Sequence, residues 1–373
     1  MISSRTCRGC GSSELTRVLD LGRVPAADLF PPADSPVSPD ESAHPSAMDL
    51  CGDCGLAQLA DDDTVADEPR GVEPRALREQ AADAVDRVAA AGLLDGSTVR
   101  EFGSPHGGTW LPLLADRGFA VVDGEAPADV VLDCFGIMHE PDQRAAFAAR
   151  AAAVAPGGVL LLQYQPLGSI VAQRQWTALR HGHFGYYTLT ALLRLLADAG
   201  MEPVRAFEFD LYGGTVLLAV RHSGAAPAHR QAGADVDADV ERILRDERAA
   251  RLTEPEGLRP LADAPREQAR ALRDWAERTA AGGATVAAYG AASRAVALFA
   301  LAGLDRTTMS CIADASPTKQ GRRMPGTDVP IVAPEALEAT TGPVFLTLPD
   351  LHDEITEAYP ALRGRLVTEG RLS

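Results

Sequence analysis

Four of the six cysteines fall into two pairs of identical spacing. Cys7 and Cys10 sit in CRGCG and Cys51 and Cys54 in CGDCG, with forty residues between the pairs. A glycine follows the second cysteine of each pair, which lets the backbone curl and turn amide N–H groups toward sulfur. Four thiolates at this spacing suit a tetrahedral Zn²⁺; two disulfides or four free thiols are the other readings, and a reducing cytosol disfavours disulfides. A closed four-sulfur site has no open coordination position, so the expected zinc is structural. Cys134 and Cys311 lie in apolar runs with no histidine partner visible in sequence, and are expected as small core residues.

A second pattern runs from Val99 to Glu140. An apolar strand over 98–102 enters a turn containing Gly103, Gly107 and Gly108, and a helix start follows at Trp110. A further strand over 119–122 ends at Asp123. Such glycines let backbone approach a nucleotide-type ligand, and the later acid can hold ribose hydroxyls. Gly103, Gly107 and Asp123 are therefore the candidate cofactor contacts. The next strand, 129–134, begins only six residues after Asp123, where a complete fold places another strand and helix over the adenine.

The elements around these patterns predict an α/β protein: a small zinc lobe, a Rossmann-like α/β domain, and a second Rossmann-like α/β domain at the C-terminus. The expected boundaries are 1–60, 61–222 (shortened) and 223–373, with 221–235 read as a linker by composition. Helices are expected over 74–91, 143–153, 189–199, 264–281 and 351–362, and strands over 205–210 and 215–221. The acidic run 61–63 reads as a solvated turn. A net charge of −17 with no basic stripe argues against nucleic acid or an anionic membrane as partner. No apolar run approaches a membrane span and the N-terminus has no signal core, so a cytoplasmic protein is expected, as a monomer or small homo-oligomer.

Three stretches together resemble the C-methyltransferases that act on nucleotide-linked 4-keto deoxysugars in antibiotic pathways. These are CRGC…LDLGRVP…CGDCGLAQL, then HGHFGYYT with LYGGT, then AAYGAASRAVAL…ADASPTKQGRRMPGTDVPIV. The resemblance implies a bacterial class I methyltransferase-like core and a nucleoside-diphosphate-sugar substrate bound partly by the C-terminal domain. It makes Tyr289, Gly290, Ala291, Ala292 and Ser293 the candidate phosphate cradle at a helix N-terminus, where the helix dipole favours anions. Arg294 and Lys319 would add charge, although tight strand–helix packing explains the glycine turn equally. HGHFGYYT matches the family's Glu-His-Phe-Phe motif with His183 followed by Phe184. His183 is thus the candidate base for the proton beside the sugar ketone. His181 is a second acid/base or a solvated companion. Tyr186 and Tyr187 would stabilise an enolate or simply pack, and Gly213 and Gly214 would approach the sugar or make the hairpin turn.

The chain departs from the family pattern in four places. The glycine motif reads Gly103-Ser104-Pro105-His106-Gly107, where the proline removes an amide donor. The segment after Asp123 is short, the family's paired tyrosines have no counterpart between Asp67 and Gln80, and Gly182 replaces the acid before the histidine. The first two departures argue against ordinary use of S-adenosylmethionine, and the last two bear on the surroundings of the catalytic histidine. The leading expectation is an enzyme that deprotonates a keto-sugar with His183 and gives an epimer, tautomer or dehydrated product. The alternatives are a true S-adenosylmethionine-dependent C-methyltransferase and a non-catalytic sugar-nucleotide binder.

Overall fold

The computed structural model of the chain describes residues 5–64, 72–103, 108–124, 126–224 and 237–372. Each cysteine pair forms a knuckle flanking a strand: β1 (Leu15–Val24) follows the first pair, and β2 (His44–Cys51) runs into the second. β3 (Ala57–Leu59) completes an antiparallel meander. Apolar residues on its inner face (Leu19, Leu21, Met48, Leu50 and Leu59) pack with Phe30 into a core shared with the C-terminal third of the chain.

The central domain opens with α1 (Arg75–Ala90), whose Ala81, Ala84, Val85 and Val88 form the buried stripe. Then come β4 (Thr98–Phe102), α2 (Leu111–Ala115), the two-residue β5 (Ala120–Val121) and β6 (Ala128–Cys134). α3 (Gln143–Ala153), β7 (Val154–Tyr164) and α4 (Leu167–Ala172) follow. The chain continues through β8 (Gly185–Tyr186), α5 (Leu189–Asp198), β9 (Met201–Phe209) and β10 (Thr215–His222). The central sheet has the order β5-β4-β6-β7-β10-β9. Its strands β5, β4, β6 and β7 are parallel, and β10 runs antiparallel to both neighbours. Among the described residues no strand or helix lies between β5 and β6, and Val121 on the open edge is 47% exposed.

β8 does not belong to the central sheet. It pairs antiparallel with β3, Ala57 opposite Tyr186 and Gln58 opposite Gly185, and so becomes the fourth strand of the zinc lobe.

The C-terminal third contains α6 (Ala238–Ala249), α7 (Arg259–Ala281), β11 (Ala287–Tyr289) and α8 (Ser293–Ala302). β12 (Cys311–Ala313), β13 (Ile331–Val332), β14 (Val344–Leu346), α9 (His352–Ala358) and β15 (Leu366–Val367) complete it. All five strands run parallel in the order β13-β12-β11-β14-β15. α7 begins before the expected start and carries Pro265 inside it. The expected helix over 351–362 is cut short, because Pro360 disfavours helical backbone at Tyr359, which sits at φ −127°, ψ 78°. The expected linker lies mostly outside the described residues. No helix among the described residues is long and apolar enough to cross a membrane.

Candidate functional site

The four knuckle sulfurs all lie within 4.8 Å of one another, with Cys7 Sγ 3.4 Å from Cys54 Sγ and Cys10 Sγ 3.6 Å from Cys51 Sγ. Zn–S bonds of ~2.3 Å in a tetrahedron put sulfurs ~3.8 Å apart, so Cys7, Cys10, Cys51 and Cys54 fit Zn²⁺. Gly11 and Gly55 take φ of 78° and 75°, the curl expected after each pair. The Cys54 hydrogen bond holds the Cys7 thiol down at about 5, while the same bond, with burial, pushes the Cys54 thiol up.

Each parallel sheet has a switch point, where crossover connections leave in opposite directions and a crevice opens at the strands' C-terminal ends. In the central sheet it lies beside β4, near Gly103 and the turn after β6. In the C-terminal sheet it lies at the end of β11, where Tyr289 leads into Gly290. Tyr212 lies in the β9–β10 turn, which packs against α1 and against the segment 349–351 after β14. Burial raises its phenol to about 12 against the opposing pull of Arg294, and Glu73, Asp350 and Glu354 also act on it.

His183 lies in the segment between α4 and β8, 9% exposed. Arg180 Nε donates to His183 Nε2 at 2.9 Å, and Arg180 Nη1 reaches Asp28 of the zinc lobe at 3.1 Å. A guanidinium only donates, so His183 Nε2 is unprotonated and the ring is held with its lone pair toward Arg180. The His139 ring stands edge-on to His183 at 4.6 Å between centroids. Burial and then the Arg180 charge lower the His139 pKa to about 3, while a bond to the Gly182 backbone pulls the other way. His139 and Arg180 were not singled out from sequence. His139 sits in the FGIMHEPD turn between a strand and a helix, and its position at the C-terminal end of a parallel strand was the available signal.

The neutral His139 carries a pH signature. An unfolded histidine titrates near 6.5, so the unfolded chain takes up the proton first. The contribution of the neutral ring is complete above that pH and is lost as pH falls toward 3. This amounts to about 3 kcal/mol by pH 4. Denaturation midpoints at pH 7 and pH 4 should therefore differ more for the wild type than for His139→Gln; equal acid losses would contradict the assignment.

Gly182 adopts φ +79°, a left-handed conformation that side chains resist. Its amide donates to Asp62 at 2.8 Å. The acidic run expected as a solvated turn is thus a set of anchors: Asp62 holds Gly182, and Asp63 lies 2.8 Å from His44 Nδ1. His181 is turned to the zinc lobe, with Nε2 donating to Pro45 O at 3.0 Å and the ring edge-on to His44. Tyr186 Oη accepts from Arg180 N and donates to Ala178 O, each at 3.2 Å. Tyr187 Oη donates to Gln143 Oε1. Both tyrosines are 1% exposed, and the packing alternative describes their placement.

Gly213 and Gly214 face α4 and the segment after it. A Cβ on Gly213 would meet Gln173 Oε1 at 2.2 Å and one on Gly214 Ser169 Oγ at 2.8 Å, so the close backbone approach is to protein. At the C-terminal switch point, Gly290 takes φ +95°, and a Cβ there would sit 2.5 Å from Thr347 Oγ1. The glycine is thus required by packing. Lys319 does reach this turn, its Nζ 2.9 Å from Ala291 O and 4.8 Å from the Phe30 ring centroid. Arg294 lies in the first turn of α8, and burial and then the like charge of Arg180 lower its pKa.

The cofactor side is uneven. Gly103 and Asp123 are exposed, while Gly107, with the rest of 104–107 including His106, lies outside the described residues. Val159 and Leu161 of β7 pack against α1, and strand alternation puts Gln163 on the same side. Both amide atoms of Gln163, and Nε2 of Gln80 on α1, are buried without a protein partner. A polar ligand beside Gly103 would supply partners, so the inner end fits S-adenosylmethionine. Toward the outer edge of this crevice the described residues offer the two-residue β5 and the exposed Asp123. Cys134, expected as a core residue, is half-buried; burial and then Glu101 and Asp133 push its thiol well up.

The zinc binding domain model matches residues 7–66, the methyltransferase domain model residues 75–206, and the C-methyltransferase C-terminal domain model residues 210–368. C-methyltransferase NovU of Streptomyces niveus is 27% identical, over 92% of this chain and 89% of that protein. Solved structures with a similar fold include the magnesium protoporphyrin IX methyltransferase of Synechocystis PCC 6803 (17% identity, 41% of this chain and 90% of that one, TM-score 0.29). Another is the 1,6-didemethyltoxoflavin-N1-methyltransferase of Burkholderia thailandensis (16% identity, 46% of this chain and 96% of that one, TM-score 0.29). With the four-sulfur lobe and the two sheets in the same order along the sequence, the chain carries a zinc binding domain, a methyltransferase domain and a C-methyltransferase C-terminal domain, and is similar over nearly its whole length to a C-methyltransferase.

Proposed function

We propose that the protein is a C-methyltransferase acting on a keto-sugar carried by a nucleoside diphosphate. The buried cluster of His183, His139 and Arg180 carries this reading. The diphosphate binds along Arg180, Arg294 and Lys319 near the Tyr289–Ser293 turn. Its arrival gives Arg180 a second anionic partner beside Asp28 and draws the guanidinium off the Nε2 lone pair of His183. That nitrogen takes the proton from the carbon beside the ketone, leaving an enolate; a neutral imidazole suits this task at neutral pH. His139, neutral and edge-on, holds the ring in place without competing for the proton. S-adenosylmethionine, when bound, supplies the electrophilic methyl group for the enolate carbon. The match to a C-methyltransferase over nearly the whole chain supports methyl transfer above the proton-only outcome expected from sequence.

The absence of a strand and helix between β5 and β6 among the described residues favours a second reading. There the enolate is reprotonated or expels a substituent, and no methyl is gained. Calorimetry with S-adenosylmethionine and S-adenosylhomocysteine, using thymidine diphosphate as control, followed by incubation with a nucleotide keto-sugar in D₂O, separates the two. Cofactor binding with a methylated product is the expected result. Deuterium uptake without a methyl group would support the second reading, and no binding of nucleotide or cofactor would overturn both.

A further inference from the structure

Arg8 lies between two cysteines of the first knuckle, yet its contacts lead away from the metal site. Its backbone amide donates to Gln58 Oε1 at 2.8 Å, and Gln58 Nε2 returns a bond to Thr6 O at 3.2 Å. The guanidinium donates from Nε to Leu59 O at 3.2 Å and from Nη1 to Pro141 O at 3.0 Å. Its Cζ also sits 4.7 Å from the centroid of the Phe184 ring. Pro141 is two residues beyond His139, and Phe184 immediately follows His183. One half-buried side chain therefore holds the backbone bearing one histidine and stacks on the neighbour of the other.

The surrounding backbone closes the same frame. Phe184 N donates to Met138 O at 2.6 Å, Leu59 N donates to Phe184 O at 3.4 Å, and Arg144 N donates to Arg8 O at 3.4 Å. β3, pinned at one end by Cys51 and Cys54, is paired with β8 just after His183. Arg8 is the side chain that touches β3, the turn after His139 and the segment after His183 together. A planar guanidinium suits this task, because its fixed fork donates in two directions while its face stacks on a ring.

We propose that Arg8 is a positioning residue that sets the His139–His183 separation from within the zinc knuckle, so that the metal site acts as the reference point for the histidine pair. The value of this geometry for turnover rests on the proposed role of His183; the positioning itself does not.

The test uses the full-length zinc protein labelled with ¹⁵N-histidine. Arg8→Met keeps the side chain's bulk and removes the fork. Phe184→Leu, which leaves the knuckle sequence intact, removes the stacking partner and serves where Arg8→Met fails to fold or loses its zinc. Zinc content is read by chelator release, histidine ring ¹⁵N shifts by NMR, and kcat and KM with the nucleotide sugar. In both variants zinc should stay at the wild-type ratio and the His139 and His183 signals should move, while those of His222 and His352 stay in place. Where turnover is measurable, kcat should fall about ten- to a hundred-fold at unchanged KM, as a misplacement of ~1 Å produces. Unmoved His139 and His183 signals in a zinc-loaded variant would overturn the proposal. Moved signals in a protein without methyl transfer would sustain it and sink the assigned reaction instead.

Discussion

His183→Ala should lower turnover by about 10²–10⁴-fold, the usual range for removing a positioned general base, while binding of thymidine diphosphate stays unchanged. The argument rests on geometry. His183 is held by Arg180 at 2.9 Å and is flanked at 4.6 Å by His139, in the turn after β6. Loss of the ring leaves the Arg180–Asp28 ion pair intact at 3.1 Å, so the guanidinium keeps an anionic partner and the fold should survive. Steady-state kinetics and exchange of the proton beside the ketone into D₂O check the expectation together. Turnover within tenfold of wild type would move the base to another group, with His139 the first to examine. Loss of both turnover and nucleotide binding would mean that His183 shapes the site without abstracting the proton.

Glu41→Ala should cost about 3–5 kcal/mol of stability, as expected when one partner of a buried ion pair is removed. Arg323 is 1% exposed and makes two bonds to Glu41, at 2.6 and 2.8 Å, plus bonds to Ser35 O, Pro36 O and Thr327 O. Glu41 also accepts from Gly326 N at 3.0 Å. Removing the carboxylate leaves a guanidinium in the interface between the zinc lobe and the C-terminal domain. A double variant, Glu41→Ala with Arg323→Met, should recover part of the loss, because an apolar replacement removes the unpaired charge. Burial raises the Glu41 carboxyl, but Arg323 and the two backbone amides more than offset it and hold it at about 2. Its folded pKa is below its unfolded one, so its stabilisation is complete above about pH 4.5 and disappears as pH falls toward 2. Denaturation of wild type and both variants at pH 7 and pH 3 tests size and sign. A single variant within 1 kcal/mol of wild type would show that water satisfies Arg323 in the folded state.

Local pattern carried much of this architecture. The cysteine spacing identified a metal lobe, the alternation of apolar runs with turn residues marked the strands of the central sheet, and the short segment after Asp123 was visible as missing length. Lys319 was tied to the Tyr289–Ser293 turn before any contact could be seen. What escaped depended on pairing between distant parts of the chain. β8 is two residues long and gives no strand signal of its own; it exists because β3, more than a hundred residues earlier, offers an edge. Asp62 looked solvated because its partner, the Gly182 amide, lies in another domain. His139 and Arg180 carry meaning only beside His183, and one-dimensional spacing does not reveal that. Pro265 stands at the start of the expected helix 264–281, yet α7 runs back through it, burying Leu261 and Ala264 on one side of the proline and Leu272 and Trp275 on the other. Tertiary packing outweighed the local penalty.

The pairing of β8 with β3 also decides how this protein can be recombined with its relatives. An exchange that cuts at the end of the first lobe would give the recipient's histidine loop a foreign edge strand, a foreign Asp62 and a foreign Asp28. Two separated pieces of sequence, 5–64 and 180–187, therefore form one inheritable unit, and a working hybrid must transplant both together.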